Sequence, residues 1–183
     1  MIKLFHSANT APEVGSHPYF DEFVFFTDYV QLVRGDRVFT VEADEDQIID
    51  VEHVLSYEEN DNMRGLVGEV KALIKKQHGL NIDDEIAEGL IDQTLQYDET
   101  LVDYTLDSDD FESYSDFRET RDFERSNFEV DSDTAWLLQI MGPRAAKVAG
   151  FRGVFLTDEM GRSIAIDMDG REAEFVLFER ETA

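Results

Sequence analysis

Residues 145–168 read AAKVAGFRGVFLTDEMGRSIAIDM, and the fold turns on them. They predict the end of a short helix, a glycine stop at Gly150 and a buried strand over 151–156. An acid pair, Asp158 and Glu159, follows that strand, then a turn through Gly161 and a return strand over 163–166. A carboxylate at the rim of a strand is placed to act on a ligand lying across the sheet edge. The same residues also make an ordinary hairpin whose turn begins with Asp. The sequence DMDGR at 167–171 repeats the pattern of DEMGR at 158–162, which favours a purely structural role for one of the two.

Elsewhere the chain predicts strands over 2–5 and 23–26, separated by the breakers Pro12, Gly15 and Pro18. Thr27 and Asp28 offer an N-cap for a helix over 29–33, and residues 34–36 form a turn. Residues 37–43 alternate, with Phe39, Val41 and Ala43 on one side, as a strand does. Leu66, Val67, Val70, Leu73 and Ile74 share a helical face that Gly79 ends. A second helix carries Ile82, Ile86 and Leu90, with Asp83, Asp84 and Glu85 favourable to its dipole. Residues 98–133 are acidic, interleaved with aromatics and without a period, and read as an irregular excursion. Asp133 caps a helix through Trp136, Leu137, Ile140 and Met141; Gly142-Pro143 breaks it, and a short helix spans 144–149. Strands over 151–157, 162–167 and 173–178 close the chain, joined by the two DxxGR turns.

The 183 residues suit one domain, here taken as 1–183 with the 98–133 excursion, and 42% hydrophobic content supports a core. The unusual quantity is a formal charge of −26, from 42 acidic and 16 basic residues. Such a field repels nucleic acid and anionic membranes and steers the chain toward basic surfaces. The expected partner is therefore a basic protein, with no direct nucleic acid and no membrane. Absence of cysteine excludes disulfides and thiolate chemistry. The four histidines show no metal spacing, and Asp167-Met168-Asp169-Gly170 lacks the later ligands of a calcium loop, so no metal is expected. No apolar run resembles a signal peptide or a membrane span, and the expected compartment is the cytoplasm.

Three strand ends carry a further pattern: KLFHSA at 3–8, FVFFTDYVQLV at 23–33 followed by RVFTVEAD at 37–44, and AGFRGVFLTDEMGRSIAI at 149–166. In this order they resemble the mono-ADP-ribosyltransferases. With TAWLLQIMGPRAAKVAGF at 134–151, they look most like the phage-encoded anti-CRISPR members. The resemblance covers residues 2–44 and 133–167, and the acidic middle has no counterpart. It implies an α+β fold with a split, mainly antiparallel sheet and helices between its halves. It implies NAD as co-substrate, and a host protein as the target of an anti-defence effector. Asp158 matches the family's acid, with Glu159 the alternative if the register shifts by one. His6 would bond an NAD ribose, the backbone around Phe5 would hold the nicotinamide amide, Phe26 or Tyr29 would stack on its ring, and Ser7 and Thr27 complete the set of cofactor-binding candidates. A carboxylate beside the ribose would stabilise the positive charge that develops as the glycosidic bond breaks. Leu156 stands two residues before the acid where arginine-modifying members carry Gln or Glu, so the acceptor stays open.

A competing reading needs no cleft. A non-enzymatic DNA mimic presents carboxylates in place of phosphates and occupies the basic groove of a nucleic-acid-binding protein. The charge of −26 serves that reading directly.

Overall fold

One sheet of this protein is apolar on both faces, and that decides the architecture. The computed structural model describes residues 1–30, 35–55, 61–95, 132–158 and 161–178, with Ser132 and Asp158 described in backbone only. The first sheet has three strands in the order β1-β3-β7: β1 Ile2–Ala8, β3 Arg37–Ala43 and β7 Val176–Leu177, all antiparallel. The second has four in the order β2-β6-β5-β4: β2 Phe23–Phe26, β6 Gly161–Asp167, β5 Gly153–Asp158 and β4 Ile48–Asp50. An antiparallel bridge between Phe5 and Thr27 links the two sheets at one edge.

Alternation along the second sheet sends successive side chains to different cores. Ile49, Val154, Leu156 and Ala165 meet the helices: α1 Asp61–His78, α2 Asp84–Ile91, α3 Ser132–Gln139 and α4 Met141–Val148. Val24, Phe26, Ile48, Ile164 and Ile166 face the opposite way and pack on Leu4, Val41 and Ala43 of the first sheet. The layers thus run helices, second sheet, first sheet. This corrects the expected placement of helices between the halves of the sheet. The inward faces of both sheets are apolar, so they bury each other directly and leave the helices the outer face.

The central hairpin forms as expected. Val154 pairs with Ala165 and Asp158 with Gly161, whose φ of 105° is the positive value that favours glycine there. The second DxxGR segment does not make a hairpin. The chain leaves β6, turns with the Arg171 N–H donating to the Met168 carbonyl, and crosses through a 3-10 turn at Glu172–Glu174. It then joins β3 of the other sheet, so the strand expected over 173–178 shrinks to β7.

Other differences are local. β4, which no local sequence pattern marks, runs parallel to β5, with Ile49 opposite Val154. Asp28 and Tyr29 lie in a bend rather than a helix start, because Thr27 is still held in the bridge to Phe5; residues 31–34 are outside the described residues. Ser132 is already helical, so Asp133 sits within the first turn of α3 instead of capping it. The α3–α4 break falls at Ile140, and Pro143 lies in the first turn of α4, where its missing N–H costs nothing. Asp83 caps α2 by accepting from the Ile86 N–H, and Gly79 follows α1 with φ 76°. Apart from its last residues, the acidic excursion lies outside the described residues.

Candidate functional site

The rim at the end of β5 is built by three elements. β6 supplies the hairpin partner on one side, pairing Thr157 with Arg162. β4 ends opposite Phe155, so among the described residues no strand lies along the other edge of Thr157. Gln93 fills that place: the Thr157 N–H donates to Gln93 Oε1 at 3.0 Å, and Gln93 Nε2 donates to the Thr157 carbonyl at 3.3 Å. Gln93 adopts φ 60° to do so, a conformation unusual for a residue with a Cβ. A side-chain amide thus extends the sheet by one rung and fixes the backbone just before Asp158. Arg162 lays its guanidinium over the Phe155 ring, 4.2 Å from the centroid. No feature of the sequence marked Gln93, since a left-handed glutamine has no local signature.

The N-terminal segments meet one another more closely than they meet this rim. Phe5 exchanges both backbone hydrogen bonds with Thr27, at 2.8 and 2.9 Å, and its ring stands edge-on to Phe178. Those two backbone groups are thereby spoken for. His6 donates from Nδ1 to the Phe25 carbonyl at 2.7 Å, and its ring meets Phe26 edge-on. The carbonyl can only accept, so the proton lies on Nδ1. Ser7 pairs with Val38 inside the first sheet. Phe26 is 1% exposed and stacks near Phe175 in the inter-sheet core, with no face open to a ligand. Thr27 donates its hydroxyl to the Tyr29 carbonyl at 2.7 Å, and Tyr29 itself is half exposed.

Strand register gives the separation. Phe26, Ile164 and Phe155 lie in one row across β2, β6 and β5. Asp158 is three residues further along β5, about 10 Å, and β2 is two strand spacings away, again about 10 Å. The bridge is antiparallel, so His6 and Ser7 run away from the Asp158 end while Thr27 and Tyr29 run toward it. Of the sequence-expected residues, Phe5, His6, Phe26 and Thr27 are brought together, and Tyr29 lies on the same side as Asp158. Glu159 is outside the described residues.

The charge sits at the surface. Among the described residues the buried polar side chains are Thr40, His78, Thr134 and Ser163, and no Asp or Glu is among them. Described ion pairs engage Arg64, Lys71, Arg144, Lys147, Arg152 and Arg171. Lys147 of α4 contacts Glu22, in the turn just before β2, at 2.6 Å and Asp167, at the end of β6, at 2.9 Å. Burial pulls its ammonium down, but hydrogen bonds and charge from the two carboxylates together outweigh that, so its pKa is raised. Arg144 holds Glu69 with two contacts, at 2.6 and 3.1 Å, tying α4 to α1. Among the described residues no three His, Asp or Glu side chains are grouped as metal ligands, and no helix is long and apolar enough to cross a membrane.

Fold and surface together define an α+β protein of two stacked sheets, with no buried Asp or Glu side chain among the described residues. No family model and no curated protein matches the sequence. Among solved structures the chain is similar to one described as an anti-CRISPR protein, with 15% identity over 90% of this chain and 88% of that one, at a TM-score of 0.46. A likeness at that score carries no functional argument.

Proposed function

We propose that this protein acts by binding, its carboxylates taking the place of nucleic-acid phosphates on a basic surface of a protein partner. The observation that supports the reading is a charge of −26 with no described carboxylate buried. Even with every lysine and arginine paired, the acids remain in large excess. Their field attracts a basic groove over a Debye length of about 8 Å at physiological salt. The test mixes the protein with purified basic DNA-binding proteins carrying a labelled duplex. Displacement of the duplex that weakens steeply with salt supports the reading. A complex containing both ligands at once contradicts it.

A second reading keeps the resemblance to mono-ADP-ribosyltransferases. In its favour, Asp158 ends a central strand whose rim is fixed by Gln93, and the half-exposed Tyr29 lies toward the same end of the sheet. Asp158 would then steady the charge on an NAD ribose, with transfer to a host protein and an anti-defence outcome. Labelled NAD with a cell lysate tests it. The reading expects a labelled band that disappears in Asp158→Ala and persists in Asp167→Ala; absence of label in the unaltered protein overturns it.

A further inference from the structure

Four aromatic side chains gather where the loop before β2 meets α3. His17 stacks on Phe20, with ring centroids 4.0 Å apart and planes 9° apart. Tyr19 approaches Trp136 at 5.3 Å, and His17 and Phe20 approach the same indole at 5.7 and 6.3 Å. Phe20 continues inward to Phe25 at 4.7 Å, which anchors the group to the helix-facing core. At its outer end Trp136 remains 37% exposed. A tryptophan held by three other rings yet open to solvent is a pre-ordered platform.

The two segments that carry these rings are acidic, which favours a cationic occupant. Residues 9–26 contain Glu13, Asp21 and Glu22 and no lysine or arginine, and α3 contains Asp133 and no basic residue. Asp133 precedes Trp136 by three positions, so both lie on one face of α3. Glu22 is committed to Lys147, whose charge is thereby met. Aromatic faces attract cations, and guanidinium stacks on them better than ammonium does because it is flat and weakly hydrated. We infer that this cluster is a docking platform for an arginine-bearing segment of a basic protein partner. The inference rests on the binding reading above and names the side chain that the partner inserts.

Trp136 is the sole tryptophan of the chain, so intrinsic tryptophan emission reports on this platform alone. The experiment titrates the full chain with an arginine homopeptide and a lysine homopeptide of equal length, at about 0.15 M and about 1 M salt. The expected result is a change in Trp136 emission with the arginine peptide, and an affinity about three- to tenfold above that for lysine which survives high salt. With binding followed by calorimetry, since the variant has no tryptophan, Trp136→Ala should abolish the preference while leaving lysine-peptide binding at low salt intact. Trp136→Phe should keep most of it, and Tyr19→Ala should weaken it without removing the emission probe. Equal affinity for both peptides, or unchanged emission on arginine binding, overturns the platform. Emission that shifts with protein concentration alone assigns the face to a second copy of the chain and overturns it too. Binding of neither peptide at low salt would instead sink the acidic-surface reading itself.

Discussion

Gln93 shows how one side chain can substitute for a strand. Its amide makes both hydrogen bonds to Thr157 that a neighbouring backbone would otherwise make, at the cost of a positive φ. An unusual order of stability is expected. Gln93→Ala loses the bonds and keeps the strain, whereas Gln93→Gly loses the bonds and relieves it, so the glycine variant should be the more stable by about 1 kcal/mol in denaturant unfolding. The reverse order would mean that the backbone there relaxes once the amide is gone. Lys147 makes a second residue-scale prediction. Its pKa is raised by Glu22 and Asp167, so the stabilisation is fully present below the ordinary lysine range and is lost as pH rises through the raised value. Lys147→Gln should lower the melting temperature by a few degrees at neutral pH; on the alkaline side this deficit should shrink only in strongly alkaline solution, and in acid it should shrink as the two carboxylates are protonated. A deficit that instead shrinks toward neutral pH would contradict the assignment.

At the scale of elements, two glycines of the same composition class should behave oppositely. A Cβ on Gly153 would lie 2.5 Å from Ile166 Cδ1 and 2.8 Å from the Ala165 carbonyl oxygen, between β5 and β6. Gly153→Ala is expected to destabilise by about 1–3 kcal/mol, since the carbonyl belongs to a sheet that cannot yield. Gly68, exposed on α1, meets nothing within 4 Å, and Gly68→Ala should stabilise by about 0.5–1 kcal/mol through helix propensity. Thermal unfolding of the two variants beside the parent checks both signs.

The same scale explains what the sequence made legible. β1, β2, β3, the 153–167 hairpin and the long helix α1 each carry their own period or stop, and each was readable locally. β4 was not: Ile48-Ile49-Asp50 is too short for a period, and its parallel partner β5 lies a hundred residues on. The twin DxxGR segments had the same turn chemistry, yet only the first became a hairpin. The second was decided by β3, whose free edge takes Val176 opposite Thr40. The candidate site divides in the same way. Asp158 at a strand end was visible, whereas the burial of Phe26 depends on the first sheet closing over it. The ring cluster on Trp136 joins HPYF at 17–20 to a helix more than a hundred residues later, a contact that no local pattern announces.

For the whole molecule, the dominant quantity is self-repulsion. A charge of −26 on 183 residues opposes the folded state, and added salt screens it. The melting temperature should therefore rise as sodium chloride is increased from low to moderate concentration, and a fall or no change would show the carboxylates to be internally compensated. Repulsion retained at that cost is consistent with a surface kept for a cationic partner. The most direct measurement follows a labelled DNA duplex on a panel of basic DNA-binding proteins as this protein is added, at several salt concentrations. The expected result is that the duplex leaves at least one of them as this protein binds, with an affinity that falls steeply as salt rises. Duplex and protein bound together on every partner, or an affinity indifferent to salt, would contradict it.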